Sequence, residues 1–370
     1  MAPVIHAFSD IPDVAHRVCN TGQHREMVTP LLEWFGIRPD VSLDLMTTNQ
    51  SLAGFTASCL TAIDALLERE NPQLVLCQGD TTTAMVVGMA AFYRRIPVGH
   101  IEAGLRTYDP FSPFPEEFNR RIIDLVADYC FAPTEKAADH LRAEGVAQER
   151  VLVTGNTAVD ALQWTLRKLD AQDATPASLP PQLVEYARAG MPWNVVTAHR
   201  RESFGEGMNQ IAAAVRGLAE DFPEMAWVLP VHPNPNVCEI MYRQLSGIPN
   251  VLLTPPMPYP QFCWVVARSR LVLTDSGGLQ EECPSLGIPV FVMRDTSERP
   301  EGIASSNVQL VGADTDRIRS GVQRYFIDAE LRNRMSIPRA VYGDGKAGKR
   351  IAEYCSETLA RSAFACSAAL

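Results

Sequence analysis

Short apolar runs alternate with longer helical patterns along most of this chain, and this alternation constrains the fold more than any other feature. Each run combines β-branched and other apolar residues on both faces, which is typical of strands buried in a parallel sheet. Patterns of helical period lie between the runs, for example at Thr82–Arg95, Pro115–Ala127 and Met208–Leu218. The alternation predicts an α/β fold with doubly wound sheets. The predicted strands are Leu74–Cys77, Ile96–Ile101, Tyr129–Ala132, Val151–Thr154, Asn194–Ala198, Trp227–Val231, Val251–Leu253, Leu271–Thr274, Pro289–Met293 and Val308–Val311.

The length of the chain and one polar segment predict two domains. A chain of 370 residues makes about two domains at roughly 150 residues each. The segment Gln172–Pro181 reads QDATPASLPP, a composition typical of a linker. We expect an N-terminal domain over 1–171, completed by a C-terminal helix over 350–370, and a C-terminal domain over 172–349. Because ligands of such folds bind beyond the carboxyl ends of the strands, we expect the site in the cleft between the domains.

Composition and charge exclude several classes of protein. Hydrophobic residues make up 46% and charged residues 21%, as in ordinary globular proteins, and a net charge of −10 argues against binding to nucleic acid. No apolar run reaches the roughly 18 residues of a membrane span, and the start of the chain does not resemble a signal peptide. Nine cysteines without a C-x-x-C pair predict reduced thiols in the cytoplasm rather than disulfides or a metal site.

Three carboxylates in the first half of the chain are candidates for acid/base catalysis. Asp80 ends the run LVLCQGD, Glu102 follows the strand that ends at Ile101, and Glu116 begins a predicted helix. Acids at the ends of neighbouring βα units converge on one edge of a sheet, which is the arrangement that general acid/base catalysis requires. A structural interpretation stays open, in which Asp80 caps the next helix and Glu116 interacts with a helix dipole.

The second half of the chain offers positive and small residues at strand ends. His199, Arg200 and Arg201 follow one strand and form a candidate anion clamp, and His232 follows another between prolines. A purely structural role for either histidine stays open. Another strand leads into the turn Ser276-Gly277-Gly278 and a helix, whose free N–H groups can bind a phosphate. Glu282 lies one turn further, where a carboxylate often binds sugar hydroxyls, and Arg294 and Arg299 follow in a later loop. The alternative is a plain tight turn.

The segment Gly343–Lys349 matches G-x-G-x-x-G and most of G-x-x-x-x-G-K, but its context argues against a nucleotide loop. No predicted strand precedes it, and Arg350 replaces the Ser or Thr that a P-loop needs. We expect a polar turn before the last helix, and we predict no nicotinamide cofactor, no ATP chemistry and no other cofactor.

Taken together, these residues resemble the non-hydrolysing UDP-N-acetylglucosamine 2-epimerases over nearly the whole chain. The resemblance implies the GT-B architecture, with two Rossmann-like domains, the substrate in the cleft between them, and a homodimer. It rests on the motifs TGQHREM (Thr21–Met27), QGDTTTA (Gln78–Ala84), GHIEAGLRT (Gly99–Thr107), SPFPEEFNR (Ser112–Arg120), TGNTAVDAL (Thr154–Leu162), TAHRRESFG (Thr197–Gly205), PVHPNPNV (Pro230–Val237), LTDSGGLQEECPSLG (Leu273–Gly287) and MRDTSERPE (Met293–Glu301).

The resemblance also implies a reaction and roles for matching residues. UDP-GlcNAc and UDP-ManNAc are interconverted by elimination of UDP to 2-acetamidoglucal, reprotonation of C2 on the other face, and return of UDP. The implied acid/base residues are Asp80, Glu102 and Glu116, with His199 beside the diphosphate. Which carboxylate removes the proton and which returns it stays open. The residues implied to bind UDP are Arg120, His232, Ser276, Gly277, Gly278, Glu282 and Arg299.

Two further expectations come from comparison with the family pattern. Gln23 and His24 match the pair that binds a second UDP-GlcNAc as effector, although an Arg that the family often has near Ser58 is missing. Family members open with a strand and a G-T-R-P-E loop before the helix that contains M-A-P. This sequence begins at M-A-P, so we expect the true start to lie upstream of Met1. A chain that does begin there is expected to be weakly active or inactive.

Two other functions are compatible with the residues. A GT-B glycosyltransferase could use the same UDP-sugar, although it needs an acceptor pocket rather than three carboxylates at strand ends. A truncated, non-catalytic UDP-GlcNAc-binding protein would bind the nucleotide sugar without converting it.

Overall fold

The computed structural model describes residues 1–22, 25–46, 50–171 and 179–368. It shows an α/β protein with parallel sheets in two compact units, one formed by Met1–Ala161 with Gly343–Leu370 and the other by Leu162–Tyr342. The predicted fold class is confirmed. The proposed linker at 172–181 lies mostly outside the described residues.

The first unit contains a four-stranded sheet and a separate pair of short strands. The four strands are parallel and lie in the order β3-β4-β5-β6, and β1 pairs with β2, also in parallel. Because β1 and β2 have only two residues each, neither forms an apolar run that sequence could reveal. The strands are β1 (Cys19–Asn20), β2 (Val41–Ser42), β3 (Val75–Gln78), β4 (Val98–Ile101), β5 (Tyr129–Ala132) and β6 (Val151–Val153).

Helices cover the sheet of the first unit and begin at recognisable caps. The side chains of Ser51, Thr81 and Thr134 each accept a hydrogen bond from the backbone three residues later, which satisfies one exposed N–H of the helix that follows. The helix α7 runs from this unit into the next. The helices are α1 (Ala2–Ser9), α2 (Arg25–Phe35), α3 (Leu52–Glu70), α4 (Thr82–Tyr93), α5 (Glu116–Val126), α6 (Glu135–Ala143) and α7 (Thr157–Ala171), together with the last helix of the chain, Ala347–Ala368.

A cavity of about 690 Å³ lies beside β3 in the first unit. Its lining includes Val4 of α1, Leu66 of α3, Val75 of β3 and Val41 of β2. Since β3 ends the four-stranded sheet, its outer edge borders this cavity. Apolar side chains from the two separate sheets therefore line the same space.

The second unit contains one six-stranded parallel sheet in the order β12-β11-β10-β7-β8-β9. Strand order reverses between β7 and β10, and ligands of doubly wound folds bind at such a point. The strands are β7 (Trp193–Thr197), β8 (Ala226–Pro230), β9 (Val251–Thr254), β10 (Val272–Thr274), β11 (Val290–Val292) and β12 (Val308–Leu310). The helices are α8 (Pro181–Ala189), α9 (Glu206–Asp221), α10 (Pro235–Leu245), α11 (Tyr259–Ala267), α12 (Gly277–Leu286), α13 (Pro300–Ala304), α14 (Thr315–Ile327), α15 (Ala329–Met335) and, returning to the first unit, α16 (Ala347–Ala368).

The ten predicted strands all appear as β3 to β12, with ends that differ by at most two residues. The glycine-rich segment 343–349 follows α15 rather than a strand and leads into α16, as predicted. A carboxylate oxygen of Asp160 accepts a hydrogen bond from the backbone N–H of Gly348 at 2.8 Å. The start of α16 is therefore satisfied by an acidic side chain, which leaves that position unsuited to a phosphate. In the described part of the chain, no helix is both long and apolar enough to cross a membrane.

Candidate active site

Two of the three predicted carboxylates lie at the ends of adjacent strands in the first unit. Asp80 follows β3 and Glu102 follows β4, which pair in parallel. Between them is Gly79, where an added Cβ would lie 3.5 Å from Oε2 of Glu102. The amide of Gln78, the last residue of β3, donates to Oε1 of Glu102 at 2.8 Å. The structure therefore brings the Asp80 turn and the Glu102 carboxylate together, as the positions of the strands predict.

Asp80 is held by the helix α5 rather than serving as a helix cap. Nη2 of Arg120 lies 2.5 Å from Oδ2 of Asp80, and the side-chain amide of Asn119 donates to the Asp80 carbonyl at 2.8 Å. The cap of α4 is the hydroxyl of Thr81, which accepts from the N–H of Ala84 at 3.2 Å. The structural interpretation of Asp80 as a helix cap is therefore wrong.

Glu116 and Glu117 are neighbours at the start of α5 and have different surroundings. Glu116 is half-buried and has no hydrogen-bond or ion-pair partner among residues that the structure describes. Glu117 is fully buried, and its carboxylate accepts the backbone N–H groups of Thr107 at 3.0 Å and Tyr108 at 3.1 Å. It also lies 3.2 Å from Nη1 of Arg120, three residues later. Glu117 thus orients the guanidinium that holds Asp80, a role that the sequence analysis missed.

Glu102 adopts a backbone conformation that is unusual for its residue type. Its φ is +69°, in the left-handed region that non-glycine residues rarely occupy. The N–H groups of Glu102 and Ala103 both donate to the carbonyl of Phe131, at 3.1 and 3.2 Å, which fixes the turn. Such conformations concentrate at functional sites, where the surrounding structure holds them in place.

In the second unit, His199 and Asp275 meet where the strand order reverses. His199 follows β7 and Asp275 follows β10, and Nδ1 of His199 lies 2.8 Å from Oδ1 of Asp275. The other oxygen of Asp275 accepts the N–H groups of His199 and Arg200 at 2.7 and 2.8 Å. Burial alone would raise the pKa of Asp275, but these hydrogen bonds and the imidazole outweigh it and lower the pKa. Asp275 lies within the motif Leu273–Gly287, in which the sequence alone indicated no role for it.

His232 lies against His199. Their ring centroids are 5.8 Å apart and nearly parallel, at 22°. Partial burial, and then the neighbouring His199, lower the pKa of His232. The backbone N–H of Asn234 donates to Nδ1 of His232 at 3.2 Å, so the proton of the neutral ring is on Nε2. A neutral N–H donor therefore stands beside the His199–Asp275 pair.

The turn Ser276-Gly277-Gly278 leads from β10 into α12 and leaves the first N–H groups of that helix without a side-chain cap. An added Cβ at Gly277 would lie 2.7 Å from the guanidinium carbon of Arg299. Arg299 is in turn held by Glu281, at 2.5 Å from Nε, and by Glu298, at 2.6 Å from Nη1. Only glycine allows this close approach of a guanidinium to the start of the helix.

Glu282 lies one turn into α12 and differs from the other acids of the site. Burial, with a smaller contribution from Glu281, raises the pKa of Glu282 to about 8. Its carboxyl group is therefore mostly protonated at neutral pH and can both donate and accept hydrogen bonds.

The predicted effector residues Gln23 and His24 lie outside the described residues. Within residues 1–22, 25–46, 50–171 and 179–368, no group of three His, Cys, Asp or Glu side chains could hold a metal ion. The eight cysteines whose side chains the structure describes are free thiols.

Comparisons with known proteins identify the family. The sequence profile described as UDP-N-acetylglucosamine 2-epimerase matches residues 6–356. A UDP-N-acetylglucosamine 2-epimerase of Escherichia coli K12 is 44% identical over 353 residues, which cover 95% of this chain and 94% of the relative. A crystal structure of UDP-GlcNAc 2-epimerase from Neisseria meningitidis bound to UDP-GlcNAc is 41% identical with a TM-score of 0.88, and the match covers 96% of each chain.

A more distant relative preserves the fold. The Methanocaldococcus jannaschii UDP-GlcNAc 2-epimerase, in complex with UDP-GlcNAc and UDP, is 27% identical with a TM-score of 0.79. That match covers 96% of this chain and 95% of the archaeal one. These findings confirm the resemblance found in the sequence.

Proposed function

Because the chain belongs to the UDP-N-acetylglucosamine 2-epimerase family, we propose that it interconverts UDP-GlcNAc and UDP-ManNAc. The observation that carries this proposal is the pair of carboxylates at adjacent strand ends, Asp80 beside Arg120 and Glu102 beside Gln78. Inversion at C2 needs one group to remove a proton from one face and another to return a proton to the opposite face. Two carboxylates at neighbouring strand ends supply such groups.

The proposed reaction begins with loss of the C2 proton to a carboxylate. The C2–H electron pair forms the C1–C2 double bond, and the bond between C1 and the diphosphate oxygen breaks with its electrons going to UDP. The product is 2-acetamidoglucal. In the return, the oxygen of UDP bonds to C1 and C2 takes a proton on its other face. The acid/base residues of this proposal are Asp80, Glu102 and Glu116.

The departing UDP must be held until it returns, and we assign this to the second unit. The uncapped start of α12 at Ser276, Gly277 and Gly278 supplies N–H groups for phosphate oxygens, and Arg299 adds a positive charge beside them. His199, oriented by Asp275, is assigned to the diphosphate, where charge develops as the C1–O bond breaks.

The remaining contacts of UDP complete the assignment. His232 and Glu282 can form hydrogen bonds as neutral groups and are assigned to the nucleotide. Arg120 is assigned to UDP through the guanidinium that already holds Asp80. The proposal requires groups of both units to reach one molecule of nucleotide sugar.

Three further features belong to the proposal. A second UDP-GlcNAc acts as effector through Gln23 and His24, the active form is a homodimer, and the protein works in the cytoplasm. The alternatives of a glycosyltransferase and of a non-catalytic binding protein gain no support from the relatives, which are named epimerases.

Incubation with UDP-GlcNAc in D₂O tests the proposal. We expect proton NMR to show UDP-ManNAc and to show deuterium at C2 of both epimers, because C2 is reprotonated from groups that exchange with solvent. Asp80→Asn should lower kcat by about a thousandfold, because a neutral amide cannot exchange protons with C2.

Asp139→Asn is the matched control, since Asp139 is an exposed carboxylate of α6 that pairs with Arg142 on the same helix. It should leave kcat unchanged. Turnover without deuterium at C2, or no UDP-ManNAc at all, would contradict the proposal.

A further inference from the structure

His100 is a buried histidine beside the carboxylate pair, and nothing in the proposed reaction uses it. It lies on β4, one residue before the strand ends, and is 0% exposed. Its Nδ1 lies 2.6 Å from Oδ1 of Asp124, and its Nε2 lies 2.8 Å from the carbonyl oxygen of Gly79. Both ring nitrogens therefore face oxygen atoms.

Both of these oxygens can only accept hydrogen bonds. The Gly79 oxygen is a backbone carbonyl, and Asp124 is held as a carboxylate by two other donors, Nη2 of Arg106 at 2.8 Å and the N–H of Gly104 at 3.2 Å. A neutral imidazole carries one N–H and one lone pair, so one of its nitrogens would oppose an oxygen without a proton between them. Only the doubly protonated ring satisfies both contacts.

The charges around the ring compensate each other. Burial alone would lower the pKa of His100, but the Asp124 carboxylate and the Gly79 carbonyl outweigh it and raise the pKa. Arg106 also pairs with Glu144 at 2.7 Å, so two cations face two carboxylates. The remaining titratable groups near the ring are Glu102, whose charge favours the cation, and the thiols Cys77 and Cys130 of the flanking strands, whose pKa burial raises to about 12.

Gly79 connects this ring to both candidate carboxylates. The Gly79 oxygen that accepts from His100 precedes Asp80 directly, and the Gly79 N–H donates to the Ile101 carbonyl at 3.0 Å, next to Glu102. Gly79 has a φ of +72° and could otherwise move between several conformations. The hydrogen bond from His100 to the Gly79 carbonyl therefore fixes the conformation of this turn.

We propose that His100 is a doubly protonated positioning residue, which holds the Gly79–Asp80 turn through the Gly79 carbonyl and places a positive charge beside Glu102. This inference rests on the proposed function for its effect on turnover, whereas its charge state does not depend on any activity. The hydrogen bond sets the direction of the Asp80 side chain.

The charge state is tested on the wild-type protein by histidine-selective ¹⁵N labelling. The chain has seven histidines, and the His100 signals are assigned as those missing from His100→Gln. We expect both nitrogens of His100 to carry protons at pH 8, where exposed histidines are neutral. A neutral His100 ring at that pH would overturn the inference, whether or not the protein turns over UDP-GlcNAc.

Two variants separate the charge from the hydrogen bond. The amide of His100→Gln can still donate to the Gly79 carbonyl, and that of His100→Asn can donate only to Asp124, while both lack the charge. We expect kcat to fall about tenfold in His100→Gln and about a hundredfold in His100→Asn, because small misplacements of catalytic groups have such costs. KM should change by less than about threefold, since binding contacts are kept.

The comparison of the two variants distinguishes positioning from a merely structural role. A structural loss should affect both variants alike, whereas loss of positioning should lower kcat more in His100→Asn than in His100→Gln and leave KM within about threefold. The control His140→Gln changes a histidine of α6 whose Nδ1 lies 2.9 Å from the Gly104 carbonyl, and it should leave kcat unchanged.

Each result has a defined meaning. Equal losses of kcat in the folded Gln and Asn variants would overturn the positioning role. A wild-type protein that does not convert UDP-GlcNAc defeats the proposed function, and the NMR measurement then decides the inference on its own.

Discussion

The two units support their candidate site residues in different ways. In the first, buried charges from separate elements hold the carboxylates: Arg120 and Glu117 of α5 fix Asp80, and His100 with Asp124 fixes the preceding turn. In the second, Asp275 binds His199 and two backbone N–H groups, and Gly277 leaves room for the guanidinium of Arg299 at the start of α12.

This difference predicts which kinds of substitution should disturb each unit. A buried charge that loses its partner is left uncompensated in a low-dielectric environment, so the first unit should be sensitive to the removal of single charges. At Gly277 the second unit should be sensitive to added volume, because a Cβ contact at 2.7 Å forces a neighbour to move. The following substitutions test this contrast.

The largest effect on stability is expected from Glu117→Gln in the first unit. This change removes the carboxylate from the buried Arg120 and leaves an amide that cannot accept from all three present donors. The free energy of unfolding should fall by about 3 kcal/mol, as for other broken buried ion pairs. Urea denaturation followed by circular dichroism measures it.

The adjacent Glu116→Gln is the matched control. Glu116 has no partner within the part of the chain that the structure describes, so its substitution should leave the stability unchanged while lowering kcat. Equal stability losses in the two variants would show that α5 does not depend on the Glu117–Arg120 pair.

Removal of the Glu282 carboxyl group from the second unit should raise the free energy of unfolding at high pH, whereas Glu117→Gln lowers it. Burial raises the pKa of Glu282 from its ordinary value near 4.5 to about 8. Folding therefore favours the protonated form, and this contribution is fully present below pH 4.5 and is lost as the pH rises through 8. Glu282→Gln should be more stable than the wild type by about 2 kcal/mol at pH 9 and equal to it near pH 4. Unfolding curves at the two pH values measure the difference, and a constant difference would contradict the account.

Added volume gives the smallest of these effects. In Gly277→Ala the new methyl group must displace Arg299, so KM for UDP-GlcNAc should rise about tenfold with little change in kcat. At the neighbouring Gly278, an added Cβ meets nothing closer than the Ser276 hydroxyl at 4.0 Å, so Gly278→Ala should raise KM by less than about threefold. Initial-rate measurements compare the two, and equal increases would mean that Arg299 is not the cause.

The sequence predicted those parts of the structure that depend on local patterns. Strands buried on both faces appear as apolar runs, and side chains at their ends, such as Asp80, Glu102 and His199, are therefore easy to place at one edge of a sheet. The helix cap illustrates the limit, since Asp80 and Thr81 are both good capping residues and only the geometry shows that Thr81 is the one used.

The residues that sequence analysis missed act through partners distant in the chain. Asp275 binds the backbone at His199, and His100 pairs with Asp124 across two elements. No periodicity records such pairs, because they depend on packing between elements. The sequence does contain one indication of the Glu117–Arg120 pair, because side chains three residues apart on a helix lie next to each other. The adjacent Glu116 was assigned the acid/base role instead.

The most direct test of the account follows the oxygen between C1 of the sugar and the β-phosphate of UDP-GlcNAc. If UDP leaves and returns, an ¹⁸O label at this bridging position becomes equivalent to the other oxygens of the free β-phosphate. We expect ³¹P NMR to show the label spread over bridging and non-bridging positions as UDP-ManNAc forms. A label that stays entirely in the bridge through many interconversions at equilibrium would contradict the account, because a β-phosphate separated from C1 rotates about its bond to the α-phosphate oxygen within that time.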